Sequence, residues 1–324
     1  MDSNKKWTIE DTKLFVENHQ IIASVYIAGI QKCGTTTLAE QLNSHLDDLS
    51  YGSAKEHHFF DRKYKNYFEN VRSKFSREFD HFEEGKIMRS FDATPDYANT
   101  LTYMFWEKPR PPSPWPYHRA WTNLSDIASF YTEEQRKKLS FIISFCDPVK
   151  RFLSHHNRID HTWPDPNIHF DTIMGKPELD EDNFIERGLY GDIMEQFFNY
   201  FPKSEFLLLS SEYFFQNQAE VLTEISIFLG LEPYIPTNAL NTSRNFNLGK
   251  KKKYELEARV ENYLAYMYYP QIKKLESLVK DRATVKTIPG IDAFVETITH
   301  QFNRANWTIE QKLQNNIKKR LNDL

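Results

Sequence analysis

Six residues that can carry charge or move a proton crowd into eight positions of this chain. They are Lys55, Glu56, His57, His58, Asp61 and Arg62, in the segment SAKEHHFFDRKY. A carboxylate beside histidines and a lysine suits general acid–base work, with Glu56 as base and its neighbours tuning it or orienting a hydroxyl acceptor. Read alone, the segment fits equally well a solvated loop pinned by Phe59 and Phe60. Its position favours function, because it closely follows a second polar group: Lys32, Cys33, Gly34, Thr35, Thr36 and Thr37. These lie in the run VYIAGIQKCGTTTLAEQLNSHL, which ends at Leu46. An apolar, β-branched stretch stops there at a short loop, and leucines at 38, 42 and 46 follow, so the run reads as strand, loop and helix. Small residues let backbone N–H groups close on a ligand, and a helix N-terminus adds partial positive charge, so an anion is expected at this turn.

Gly29, four residues, Gly34 and then Thr36 form the frame of the nucleotide-triphosphate P-loop, yet Thr35 stands where that motif demands lysine. The lysine is inside the loop instead, at Lys32. A kinase needs its lysine on the β- and γ-phosphates and Mg²⁺ on the Ser/Thr. This variant offers one cation beside a phosphate, ringed by hydroxyls.

The elements that must position these groups follow an α/β pattern. FIISFC reads as a buried strand, Asp147-Pro148 breaks it, and a helix starts with Lys150, Arg151, Ser154 and His155 near the strand's C-terminal end, where open α/β sheets bind ligands. RGLYGDIMEQFFNYFP carries Tyr190, Ile193, Met194, Phe197 and Phe201 at helical spacing, mostly a core stripe, with Tyr190 and Phe197 also placed to touch a ligand. EFLLLSSEYF starts another strand–helix unit. Residues 65–90 read as a charged surface helix, and FDATPDY (91–97) as a turn element. Residues 256–300 read as helical, with interruptions at Pro270 and Pro289-Gly290. The chain divides into a helical extension over 1–20, a main domain over 21–300 and an amphipathic helix over 301–324. A proline- and aromatic-rich insertion at 103–121 reads either as a packed surface loop or as a lid.

Composition narrows the class. With 324 residues, 40% hydrophobic and 27% charged, the chain is long enough for a real core and too apolar for disorder. A net charge of −4 gives no reason to propose nucleic acid as partner. No stretch reaches the roughly 18–20 apolar residues of a membrane span, and the N-terminus lacks a secretory h-region. Two cysteines cannot build a disulfide scaffold, and a reducing, cytoplasmic setting is the expectation. Cys33 and Cys146 both lie in the anion-facing elements, and chance placement is favoured over a redox pair.

Taken together, the Lys32 loop, the Arg151–Ser154 helix start and the lysine run at 250–253 converge on one polyanionic ligand. Here the chain resembles the sulfotransferases that use 3′-phosphoadenosine-5′-phosphosulfate, and among them the heparan-sulfate type. GIQKCGTTTL is similar to the family's 5′-phosphosulfate loop, and Lys55, Glu56, His58, Phe59, Phe60 and Asp61 match its K-E-x-H-F-F-D signature. Asp147-Pro148, Arg151 and Ser154 match its 3′-phosphate strand end; Gly188, Tyr190, Phe201 and Pro202 match a following helix, with Phe197 at the adenine side. Gly249, Lys250 and Lys251 loosely match the loop that closes over the 3′-phosphate.

The resemblance implies a single α/β domain with a central parallel sheet flanked by helices. It also implies sulfuryl transfer to a hydroxyl or amine of a glycan or small molecule, with no metal required. Glu56 would be the base, with Lys32 on the leaving phosphate and His58 and Asp61 facing the acceptor. Two departures stand out: Cys146 replaces an arginine of the 3′-phosphate motif, and Ala93 replaces the lysine that heparan-type enzymes carry before their T-P element. Lys150, Lys250 or Lys251 is the expected source of the missing charge. A P-loop kinase and a donor-binding protein without catalysis stand as alternatives.

Overall fold

Three central strands are apolar on both faces, and that alone demands helices above and below them. In the computed structural model of the chain, these are β3 (Ala23–Gly29), β6 (Ser140–Phe145) and β7 (Glu205–Ser210). The structure describes residues 6–60, 76–100, 124–157, 165–175, 183–236, 254–280, 282–290 and 292–296. The insertion at 103–121, the segment 301–324, and Asp61, Arg62, Gly249, Lys250 and Lys251 lie outside them.

Among the described residues the main sheet has six parallel strands in the order β4 (Leu49–Ser50), β5 (Arg89–Asp92), β3, β6, β7 and β8 (Val285–Ile288). The chain winds one way from β3 to β4 and β5, then the other way to β6, β7 and β8. Ligands of doubly wound sheets bind at such a reversal, outside the strands' C-terminal ends. A small antiparallel hairpin, β1 (Val16–Glu17) with β2 (Gln20–Ile21), precedes the sheet.

Helix starts follow their local chemistry. Helix α1 (Ile9–Leu14) opens on a capping box between Thr8 and Asp11. The expected N-terminal extension thus contains one short helix and a hairpin, and Trp7 and Phe15 are buried in the core. Helix α2 (Thr35–His45) buries Leu38, Ala39 and Leu42. Helices α3 (Leu124–Phe130) and α4 (Glu133–Lys138) lead into β6. Helix α5 (Pro148–His156) is capped by Asp147, whose carboxylate accepts from Val149 and Lys150 N–H groups. Helices α6 (Pro166–Gly175), α7 (Tyr190–Tyr200), α8 (Ser211–Gln216) and α9 (Gln218–Phe228) follow.

Three expectations need correcting. Helix α10 (Ala258–Lys280) continues past Pro270 without interruption. An interior proline costs about 3 kcal/mol, and burial of Val260, Leu264, Tyr268, Ile272, Leu275 and Val279 along one stripe offsets it. Residues 285–288, expected to be helical, form edge strand β8, because pairing with β7 satisfies their backbone groups. A helix is expected over 65–90, but of its described residues, 76–90, only Ser76 is helical, and Arg89 and Ser90 open β5.

At the N-terminal edge of the sheet, buried Arg89 joins several elements. It donates to Ser24 Oγ, Ser140 Oγ and the Leu229 carbonyl, with its guanidinium 3.8 Å from the Trp7 ring centre. A cavity of about 590 Å³ lies at this edge, lined by Trp7, Arg89, Glu205 and Val285 among others. The loops that leave the C-terminal ends of β3, β4 and β6 lie at the opposite edge of this parallel sheet.

Candidate active site

The loop between β3 and α2 is built on unusual backbone. Lys32 has φ of 76° and Gly34, the N-cap of α2, has φ of 81°. Glycine reaches this left-handed region freely, whereas a lysine held there is strained, a condition that clusters at functional sites. The loop is tied to β6: Ile30 N–H donates to the Ser144 carbonyl at 2.7 Å, and Ser144 Oγ donates to the Cys33 carbonyl at 2.6 Å. Thr35 is buried, Thr36 is exposed, and Lys32 and Thr37 are half-buried.

The two cysteines are joined. Cys33 and Cys146 form a disulfide, with Cα atoms 5.3 Å apart across a sequence separation of 113. This overturns the expectation of two thiols placed by chance. Parallel pairing of β3 with β6 sets the loop that leaves one strand beside the residue that ends the other. Cys146 therefore bonds to the loop between β3 and α2 at the position where the resemblance implies an arginine.

Beyond Cys146, helix α5 supplies the next groups. Arg151 is fully buried, and its Nη2 donates to the Phe184 carbonyl. Its Nε and Nη1 find no hydrogen-bond partner among the described residues. A buried guanidinium with open donors is the chemistry that takes a phosphate, so this donor set fits the 3′-phosphate end of the expected nucleotide. Ser154 lies one turn on, half-buried, and Lys150 is exposed at the helix start. Tyr190 is buried and donates to the Cys146 carbonyl at 2.9 Å. Phe197 does not join this group. It lies in the core at 0% exposure, packed on Phe141 and Phe206, because its place on the helix stripe points into the sheet.

The loop after β4 brings the acid–base candidates to the same edge. Lys55 Nζ contacts both the Glu56 carboxylate and, at 3.0 Å, Thr36 Oγ1 in the first turn of α2. His58 Nε2 lies 3.2 Å from the other Glu56 oxygen. Burial opposes ionisation of Glu56, but hydrogen bonds from His58 and Lys55, together with the charges of both, outweigh it. The carboxyl is held below the ordinary glutamate range and is ionised at neutral pH. His57 turns away: its Nε2 donates to the Tyr51 carbonyl at 2.9 Å, and its ring packs on Phe59 and Phe79.

Sequence reading missed the residues beneath this loop. Asp92, Thr94 and Tyr97 are fully buried and hydrogen-bonded to one another and to the loop. The signal was present in FDATPDY, a run of polar residues at a strand end next to Pro95, although only the fold shows what they hold.

The parallel sheet reverses at β3, a loop with the features of an anion site lies at that reversal, and a carboxylate is linked to it through Lys55. Residues 23–281 match the sulfotransferase domain, and the chain belongs to that family. The human heparan sulfate glucosamine 3-O-sulfotransferase 3A1 is 25% identical over 252 residues, covering 76% of this chain and 52% of that protein. The human 3B1 enzyme is 26% identical over 239 residues, covering 72% and 51%. The chain thus spans about half the length of these relatives. A solved sulfotransferase from Alicyclobacillus acidocaldarius has the same fold, with a TM-score of 0.53 and 16% identity over 80% of this chain and 96% of that one. No helix among the described residues is long and apolar enough to cross a membrane.

Proposed function

We propose that this protein transfers a sulfuryl group from 3′-phosphoadenosine-5′-phosphosulfate to a hydroxyl or amine of a glycan or small-molecule acceptor. One observation carries the reading: Lys55 bridges Thr36 on the donor-loop helix and Glu56 on the following loop, so base and donor loop share one cation. The bound donor supplies the sulfuryl group for in-line transfer to the acceptor atom. Glu56, ionised and held between Lys55 and His58, accepts the acceptor's proton as the new bond forms. Lys32 places its charge where the departing 5′-phosphate gains negative charge, with the Thr35 and Thr36 hydroxyls as further donors. Arg151 and Ser154 hold the 3′-phosphate. Positioning and charge stabilisation then account for most of the catalysis.

The similarity to heparan sulfate glucosamine 3-O-sulfotransferases supports a glycan hydroxyl as the first acceptor to try. Ala93, in place of the lysine that heparan-type enzymes carry, argues against a highly anionic chain being the preferred one. The test incubates the protein and radiolabelled donor with heparan sulfate chains and, separately, with a cell extract, and identifies what becomes labelled. Glu56→Gln is expected to lose about 10²–10⁴-fold in transfer rate while still binding 3′-phosphoadenosine-5′-phosphate. Full activity in that variant would move the base to a histidine, with His58 the better placed. Nucleotide binding without transfer to any acceptor would defeat the enzymatic reading.

A further inference from the structure

Residues 55–59 carry the proposed base and have no regular secondary structure, so their backbone must be held by something else. Three successive N–H groups of this segment are collected by one small buried cluster. His57 N–H reaches Asp92 Oδ1 at 3.4 Å, His58 N–H reaches Thr94 Oγ1 at 3.2 Å, and Phe59 N–H reaches Tyr97 OH at 3.1 Å. The two hydroxyls in turn donate to the same carboxylate, Thr94 to Oδ1 and Tyr97 to Oδ2, each at 2.6 Å. A fourth bond runs the other way, from Ala93 N–H to the Lys55 carbonyl at 2.9 Å.

The polarity of this cluster depends on a carboxylate. An ionised carboxylate only accepts, so both hydroxyl protons turn toward Asp92 and both hydroxyl oxygens are left to accept from the loop. An amide at position 92 would present an N–H₂ group to one of those hydroxyls and reverse it. The cluster is itself anchored. Pro95–Ala98 forms a 3-10 turn that sits against the end of β3, so close that a side chain at Gly29 would come within 2.5 Å of Ala98 Cβ. Asp96 pairs with buried Arg187 at 2.6 Å. The cluster also bears on a strained backbone: His58 has φ of 57°, a conformation that persists when its surroundings over-determine it. Burial pushes the Asp92 carboxyl above its ordinary range, with nearby His57 and the Thr94 and Tyr97 hydrogen bonds opposing that. A buried carboxylate that served only packing would be an expensive choice.

We propose that Asp92 is a positioning residue for the transfer: through the hydroxyls of Thr94 and Tyr97 it fixes the backbone of residues 57–59, and so holds Glu56 and His58 in register with the donor loop. This rests on the assignment of Glu56 as base, and the test separates the two.

In the full chain, Asp92→Asn is expected to raise amide exchange at residues 57–59 by about 10-fold or more while β3 and β6 amides keep their protection. With radiolabelled donor and heparan sulfate, or the acceptor labelled in the extract, kcat falls about 10- to 100-fold at an unchanged KM for the donor. Because Asp92 acts through Glu56, adding Asp92→Asn to Glu56→Gln costs at most about twofold more. If Asp92→Asn does not fold, Thr94→Val against Thr94→Ser carries the same test: valine frees the His58 amide and slows transfer, and serine restores both. Unchanged exchange at 57–59, or rate losses that multiply in the double variant, would overturn the proposal. Full activity of Glu56→Gln alone would remove the base assignment, and the exchange data would still decide whether Asp92 holds the loop.

Discussion

The two flanks of β3 hold their functional groups by different means. On the β5 flank, the loop carrying Glu56 and His58 is secured by hydrogen bonds to a buried carboxylate and two hydroxyls. On the β6 flank, the donor loop is secured by a covalent bond, Cys33 to Cys146, and by the Ser144 contacts to its backbone. The difference suits the tasks proposed for each side. A base and its acceptor partner need a defined direction, which a polarised hydrogen-bond cluster supplies. A loop that wraps a phosphate needs its backbone kept near one strand end, which a crosslink supplies without adding charge. Cys146, which stands where the resemblance implies an arginine, fixes the loop through its bond to Cys33, and under the proposed function phosphate recognition falls to Arg151 and its neighbours.

Breaking the crosslink should separate the two flanks most clearly. Reduction, or Cys33→Ser with Cys146→Ser, removes a constraint closing a long loop and is expected to lower stability by about 2–4 kcal/mol, read as a shift of the urea midpoint. Amide exchange at residues 57–59 should not change. If it rose as much as exchange in the donor loop, the flanks would be one unit. Native protein should also show no reactive thiol before reductant is added.

Next in size is Arg151→Met. Removing a charged donor from the 3′-phosphate end should weaken binding of 3′-phosphoadenosine-5′-phosphate by about 10- to 100-fold, measured by calorimetry, with Glu56 and its loop untouched. Unaltered affinity would shift the phosphate contact to Lys150 or to the lysines at 250–253.

The smallest effect concerns Asp147. Burial raises its carboxyl to about 6, against hydrogen bonds from Lys150 and Val149 N–H groups. Between the ordinary value of 3.8 and about 6, the folded chain holds a proton that the unfolded chain has released. The contribution to stability is therefore full below 3.8 and lost as pH rises through 6. Asp147→Asn keeps a capping oxygen without the charge. Its urea midpoint should exceed that of the wild type at neutral pH by the equivalent of about 1 kcal/mol, with the gap closing in acid. A gap independent of pH would assign the effect to capping rather than to the buried charge on the donor flank.

Much of this architecture was legible locally. The runs VYIAGI, FIISFC and EFLLLSSEYF read as strands or strand starts, and Asp147-Pro148 read as a helix start, and buried strands and a capped helix stand there, because a strand's apolar run and a cap's chemistry are written in adjacent residues. Where the signal was short or ambiguous, reading failed. Strand β8 is four residues, three of them half-buried, whose conformation is set by β7, and Pro270 is carried by the packed stripe of α10. Phe197 has the same helical spacing whether it faces a ligand or the sheet, and only the packing against Phe141 and Phe206 decides.

The class of fold, the displaced lysine at position 32 and the Lys55–Glu56–His58 cluster are therefore legible in the chain alone, since each is a matter of spacing along it. The tertiary structure decided that Cys33 meets Cys146 and that Asp92 lies under residues 57–59. Both contacts depend on which strands become neighbours and in what register, and no local pattern encodes the meeting of side chains 113 residues apart.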